Sequence, residues 1–335
     1  MGTVGKRDDA GRQGPVQVRR RNAPTAIALA VDADAGSLRR MNAVWRLCLP
    51  LLATACLAAP REIGPWRAIF AGIEIAEGRA TAVDARPQRA IAVRIDLRAP
   101  GIEFVSTEGN GDEPGETDSE TATAFARRHH AQVAINANLF SPCCGPGGKD
   151  LGGLALSAGK IVSPPVRHGP GDCVLAITRD NRAVITRSDP SFNVEGYWTA
   201  VAGTGIIVKA GRNVAASNDT GGDKSHPRTA VGLDADGRQL FLLVIDGRRP
   251  GRSEGATLVE LADWLVQLGA HEALNLDGGG STTLVVEERS GPEVRNEPAD
   301  GGWLSTLLNP FRGREAAQRP NGNHLGIRAR PMAER

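Results

Sequence analysis

Tyrosine is almost missing from this 335-residue chain: there is one, beside seven phenylalanines and five tryptophans. An aromatic platform for sugar stacking would therefore have to draw on those few rings. An excess of charge of one sign is missing too. The formal net charge is +2, which removes any general electrostatic case for nucleic acid or an anionic membrane. No Walker A or dinucleotide fingerprint is present, because the triplet Gly278-Gly279-Gly280 lacks the lysine of the first and the spacing of the second. No histidine stands at ligand spacing from Cys143, Cys144 or Cys173, which argues against a zinc site.

What is present begins with a two-part N-terminus. Residues 1–40 are polar, basic and unpatterned, and read as disordered or as an extension upstream of a true start at Met41. Residues 41–60 carry Arg46, the apolar run Leu47 to Ala59 and small residues at its end, the pattern of a secretory signal. That run is too short to span a bilayer comfortably. Export to the periplasm or medium is the expectation, with lipid anchoring at Cys56 as a variant that Ala53 disfavours. An exported chain can form disulfides, and one bridge from the Cys143-Cys144 pair to Cys173 is expected, leaving one thiol over.

Residues 61–335 are read as one domain. Ile91, Val93, Ile95 and Leu97 alternate as a half-buried strand does, while Leu240 to Ile245 is apolar throughout and calls for cover on both faces. Thr257 and Glu260 form a capping box before Leu258, Leu261, Ala262, Leu265 and Leu268, and Gly269 ends that helix. A strand to Asp246, this helix and a strand to Asp277 predict a parallel crossover unit, with both carboxylates at one sheet edge about 5–10 Å apart. The expected fold class is α+β: mixed sheets, few helices and this one crossover.

Asp277 ends a strand and is followed by three glycines and the hydroxyls of Ser281, Thr282 and Thr283. Glycine runs are entropically costly and persist where backbone must bend sharply or approach a ligand. The same stretch also fits a tight turn in which Asp277 caps its own loop. Asp246-Gly247-Arg248 repeats the strand-end pattern, and Arg248 offers either a bidentate fork for an anion or an ion pair with a loop carboxylate. His226-Pro227-Arg228 supplies a second arginine. Gly251-Arg252-Ser253-Glu254-Gly255 matches a nucleophile elbow, and Ser253, Asp277 and His324 stand in hydrolase order. However, the preceding strand ends seven residues before Ser253, where an elbow needs the serine on the turn itself.

Together these segments resemble the phosphodiester glycosidase family. The matching blocks are Ala134-Ile135-Asn136-Ala137-Asn138-Leu139-Phe140, His226-Pro227-Arg228-Thr229-Ala230, Asp246-Gly247-Arg248 with Ser253, Leu274 to Thr283, and Arg319-Pro320 with Asn323-His324-Leu325-Gly326. The resemblance implies hydrolysis of a sugar 1-phosphodiester, such as a GlcNAc-1-phosphodiester, to free sugar and a phosphomonoester. Carried over, Asp246, Asp277 and Arg228 are the candidate catalytic residues. Asn136, Asn138, Arg248, Ser253, Gly278, Gly279, Ser281, Thr282 and Asn323 are the candidate substrate contacts. No cofactor is evident, and a divalent cation stays open. The expected partner is a glycosyl phosphodiester, small or polymeric, with no nucleic acid and no transmembrane helix in the mature chain. The competing readings are a non-catalytic polysaccharide-binding protein of the cell envelope and, more remotely, a serine hydrolase using Ser253. The loop Pro142 to Lys149 and the segment Ser290 to Arg319 depart from the family pattern and put substrate identity in doubt.

Overall fold

The computed structural model of the protein describes residues 61–81, 86–215, 224–300 and 318–332. The expected extension, the signal and Cys56 lie outside these residues. Within them the chain is mostly β, and every strand pairing is antiparallel. The expected α+β class with mixed sheets is thereby corrected. Only two α-helices occur among the described residues, Ala122–His129 and Leu258–Leu268. Neither is long and apolar enough to cross a membrane.

One nine-stranded sheet carries the site. Its centre runs Gln88–Asp96, Gln239–Ile245, Arg228–Leu233, Glu272–Asn275 and Gly205–Lys209 in spatial order. The apolar strand at its middle has the two-sided cover its composition requires. Leu240, Leu242 and Val244 face a core shared with Val133, Ile135, Leu175, Val201 and Leu325 of two five-stranded sheets. Phe241, Leu243 and Ile245 face Leu258, Leu261, Trp264 and Leu265 of the second helix. Fully burying each such side chain stabilises by roughly 1.5–3 kcal/mol, which is why this short helix sits firmly on its sheet.

That helix starts and stops where its sequence says. Thr257 Oγ1 accepts a hydrogen bond from Glu260 N, the Glu260 carboxylate accepts one from Thr257 N, and Gly269 closes the helix at φ 98°. The strands on either side of it are nevertheless not neighbours. The Arg228–Leu233 strand lies between them, antiparallel to both, with Arg228 opposite Ile245 and Ala230 opposite Asn275. The two outer strands therefore do run in the same direction, but at twice the interstrand spacing, roughly 10 Å. Because the middle strand runs the other way, it begins at the edge where they end. Arg228 thus enters between the strand ends that lead into Asp246 and Asp277.

The cysteines differ from expectation. Cys143 and Cys144 are bonded to each other, and Cys173 is a free, buried thiol.

Candidate active site

At that sheet edge opens a cavity of about 780 Å³, lined by Arg228, Arg248, Asn275, Asp277, Gly278 and Gly279 among others. Asp277 leaves its strand where Leu276 N donates to Thr229 O and Asp277 N donates to Ala137 O, so its main chain is fixed on both sides. Gly279 takes φ +64°, a region that disfavours side chains. A Cβ on Gly280 would come within 2.0 Å of Asp300 Oδ1 and 2.3 Å of Arg319 Nη2. The glycines thus let the loop turn tightly under an ion pair, Arg319 Nε to Asp300 Oδ2 at 2.6 Å.

Burial drives the Asp277 carboxyl up to about 6, against the opposing effects of a Ser281 hydrogen bond, the Arg319 charge and the Gly278 N–H. Part of the residue still reaches the cavity, so it is both desolvated and accessible. A carboxylate in that condition can change protonation near neutral pH, which is the property a reacting group needs.

Arg228 is held by main chain alone: Nε donates to Ala256 O and Nη2 to Lys224 O, both at 2.8 Å. No carboxylate lies within ion-pair distance of it among the described residues. Burial pulls its guanidinium down to about 10, with only the more distant Glu260 charge opposing. An unpaired, half-buried guanidinium is costly, and a bound anion would relieve that cost. Arg248, at φ 59°, extends over the glycine loop and has Asp300 Oδ1 3.8 Å from Nη1. His226 also lines the cavity; burial, then the charges of Arg228, Arg248 and Lys224, holds its pKa down and its ring neutral at pH 7.

Other expected site residues are elsewhere. Asp246 is 2 % exposed and does not line the cavity. Its Oδ2 pairs with Arg89 Nη1 at 2.8 Å and its Oδ1 accepts from Glu297 N at 2.7 Å. Burial raises its pKa, while those two partners pull it down. Ser253 donates to Asp246 O and accepts from Arg89 N, so its hydroxyl is spent on bracing that strand end. His324 lies fully buried, with Nδ1 3.3 Å from Thr107 Oγ1 and its ring stacked on Phe125. Ser253 and His324 therefore do not form a nucleophile and base with each other.

Asn136 cross-braces the site from behind. Its Nδ2 donates to Asp277 O at 2.7 Å, and its Oδ1 accepts from Thr229 Oγ1 and Thr283 N. Asn138 Oδ1 accepts from Ala202 N and from Asn323 Nδ2. Ser281 and Thr282 are buried behind the loop, Ser281 reaching Asp277 and Arg319. Of the twelve residues expected from sequence, five line the cavity: Asp277, Arg228, Arg248, Gly278 and Gly279.

The lining also includes residues that are not among those twelve. Asn275 donates from Nδ2 to Thr204 Oγ1 at 2.6 Å, while its buried Oδ1 has no partner among the described residues. Asp172 and Arg187 contribute from a five-stranded sheet. The one available signal was for Asn275, which stands two residues before Asp277 and so points to the same side of its strand. Among the described residues no group of three or more His, Cys, Asp or Glu is placed to hold a metal ion.

Comparison with known proteins adds to this geometry. The model of the family described as phosphodiester glycosidase matches residues 102–328. The bovine (Bos taurus) N-acetylglucosamine-1-phosphodiester alpha-N-acetylglucosaminidase is 49 % identical over 76 residues, which is 23 % of this chain and 14 % of the bovine one. The SPbeta prophage-derived protein YomE of Bacillus subtilis is 28 % identical over 188 residues, covering 52 % of this chain and 27 % of that protein. The chain thus spans well under half the length of these relatives. Among solved structures, the zebrafish N-acetylglucosamine-1-phosphodiester alpha-N-acetylglucosaminidase catalytic domain, auto-inhibited by its pro-peptide, matches with a TM-score of 0.57. Its identity is 22 %, over 81 % of this chain and 88 % of that one. A hypothetical protein from Synechocystis matches with a TM-score of 0.53 at 17 % identity, over 82 % of this chain and 64 % of that one. These two structures share the fold.

Proposed function

Because this chain belongs to the phosphodiester glycosidase family, matched across residues 102–328, we propose that it hydrolyses a sugar 1-phosphodiester at the glycosidic bond. The observation that carries this reading is the pairing, in one cavity, of Asp277 with an arginine that has no carboxylate partner among the described residues, Arg228. Arg228, with Arg248 beside it, binds the phosphodiester anion. Asn275 Oδ1, without a partner among the described residues, accepts a sugar hydroxyl. Leu139, Leu258 and Leu276 supply apolar surface for the ring.

The chemistry follows from the leaving group. The bond between C1 of the sugar and the phosphate oxygen breaks, and the phosphate departs as a monoester anion. Such a group leaves without first being protonated, so the acid that ordinary glycosidases need is replaced by guanidinium charge. One carboxylate is then enough. Asp277 either attacks C1, to be displaced by water, or takes the proton from the attacking water. Both routes need it ionised, so kcat/KM should rise with pH through about 6. GlcNAc is the proposed sugar, from the substrate named in the bovine relative. Export is proposed from the leader pattern of residues 41–60, and the Cys143–Cys144 disulfide is compatible with it.

The test is incubation with the methyl ester of GlcNAc-1-phosphate, following free sugar and methyl phosphate. Release of both by the protein, and loss of release in Asp277→Asn, is the expected result. Binding without turnover would replace the enzyme with a polysaccharide-binding protein.

A further inference from the structure

The cavity is also lined by a third arginine, Arg187, together with Asp172. Cys173 is paired with Arg187 across two strands of a five-stranded sheet, which brings Asp172 and Arg187 together at the cavity rim. Arg187 Nη1 lies 2.5 Å from Asp172 Oδ2, but the two side chains are unequally exposed, 69 % for the arginine and 14 % for the aspartate. The carboxylate is therefore the inner post and the guanidinium the outer arm. The post is fixed from several directions. The Cys173 thiol donates to Asp172 Oδ1 at 3.1 Å, Asp172 N donates to Gly169 O, and Ser188 N donates to Asp172 O.

An exposed ion pair of this kind contributes little to stability, because solvent screens it and ordering a long side chain costs entropy. Its value lies in geometry: an arginine gripped at one nitrogen still offers the rest of its fork. The cavity, at about 780 Å³, lies in the upper part of the roughly 300–1,000 Å³ that hold drug-sized ligands. A monosaccharide and one phosphate, taken up by Asn275, Asp277 and Arg228, do not fill that volume, and Arg187 lines the same cavity.

Building on the glycosidase reading, we propose that Asp172 and Arg187 form a subsite for the leaving half of the substrate, and that this subsite reads a second phosphate. The preferred substrate class is then a sugar 1-phosphodiester whose alcohol carries a further phosphate, as in a polymer of glycosyl phosphates. Arg187 is the specificity-determining residue and Asp172 the residue that positions it.

The experiment compares two esters of GlcNAc-1-phosphate, one with methanol and one with glycerol 3-phosphate, across wild type, Arg187→Gln and Asp172→Asn. Wild type should favour the doubly phosphorylated ester in kcat/KM by about 10-fold or more, the size of one added charge-assisted contact. Arg187→Gln should erase that preference through KM, leaving kcat on either ester and kcat/KM on the methyl ester within about 2-fold, since the exposed side chain adds little to folding. Asp172→Asn should fall between the two, also through KM. Cleavage of the methyl ester with no gain from the second phosphate, or an Arg187→Gln loss equal on both esters, would overturn the subsite. Failure of wild type to cleave either ester would instead sink the glycosidase reading itself.

Discussion

Replacing Asp277 by asparagine should make the protein more stable and inactive at once. The carboxyl stands at about 6 against an ordinary 3.8, raised chiefly by burial. A raised acid pKa means that folding disfavours the ionised form. The associated stability is complete below about 3.8 and is lost as pH rises through about 6. About two pH units correspond to roughly 3 kcal/mol at full ionisation, and this is a ceiling. The cavity side of the residue reaches solvent, so about 1–2 kcal/mol is the gain to expect at pH 7.5. Asparagine keeps an oxygen for Ser281 and for Gly278 N–H, so little of the loop's bonding need be lost. For a domain of this size that gain raises Tm by roughly 2–8 °C. Linkage leaves only about one third of it at pH 4.5, where the folded wild-type carboxyl is already protonated. The assay is thermal melting of both proteins across pH 4.5 to 8, alongside turnover of the methyl ester. Turnover should fall by about 10³-fold. A Tm difference that is negative or flat with pH would make Asp277 a structural anchor and refute the argument.

Arg228→Met should lower kcat/KM by about 10²–10³-fold, and Arg228→Lys should recover little of it, because a lysine cannot supply the planar fork; near-full rescue by lysine would count against bidentate phosphate binding. Arg89→Ala leaves the Asp246 carboxylate buried without its charge partner and should destabilise by about 3–5 kcal/mol in denaturant melts. Asp246→Asn should likewise lower stability while leaving kcat of the folded fraction near wild type; a folded, stable and inactive Asp246→Asn protein would return Asp246 to the reaction. Cys173, buried and with its thiol pushed up to about 12, should resist iodoacetamide at pH 8 until the protein is unfolded, as read by mass spectrometry of its peptide. Rapid labelling of the native protein would contradict that placement.

Local features of the fold were legible because local chemistry determines them. The helix from Leu258 to Leu268 is bounded by its own capping box and glycine, and Leu240 to Ile245 announces two-sided burial by being apolar at every position. Strand order was legible only in part. The turn Ala235-Asp236-Gly237-Arg238 marks a hairpin that pairs Arg228–Leu233 with Gln239–Ile245, but no local signal places Glu272–Asn275 on the far side of that strand, so the crossover unit looked like an adjacent parallel pair. The same limit separates the two aspartates. Asp246-Gly247 and Asp277-Gly278 look alike in sequence, and they differ because Arg89, 157 positions earlier, pairs with one of them. Asp172 and Arg187 were invisible for a third reason: they sit in ordinary loop and strand-end sequence, and only the register of Cys173 against Arg187 makes them partners.

The antiparallel insertion of the Arg228 strand also divides the sheet into a site-bearing end and an editable end. Arg228, Asn275 and Asp277 all hang from one edge, locked in place by ladders on both sides of a single strand. The opposite edge holds the Asp234 to Arg238 turn, the Gly269 to His271 connection and the turns after Asp96 and Lys209. New chain termini, tags or inserted domains placed in the Asp234 to Arg238 turn should therefore be tolerated without disturbing the cavity, which makes that turn the natural entry point for circular permutation or fusion.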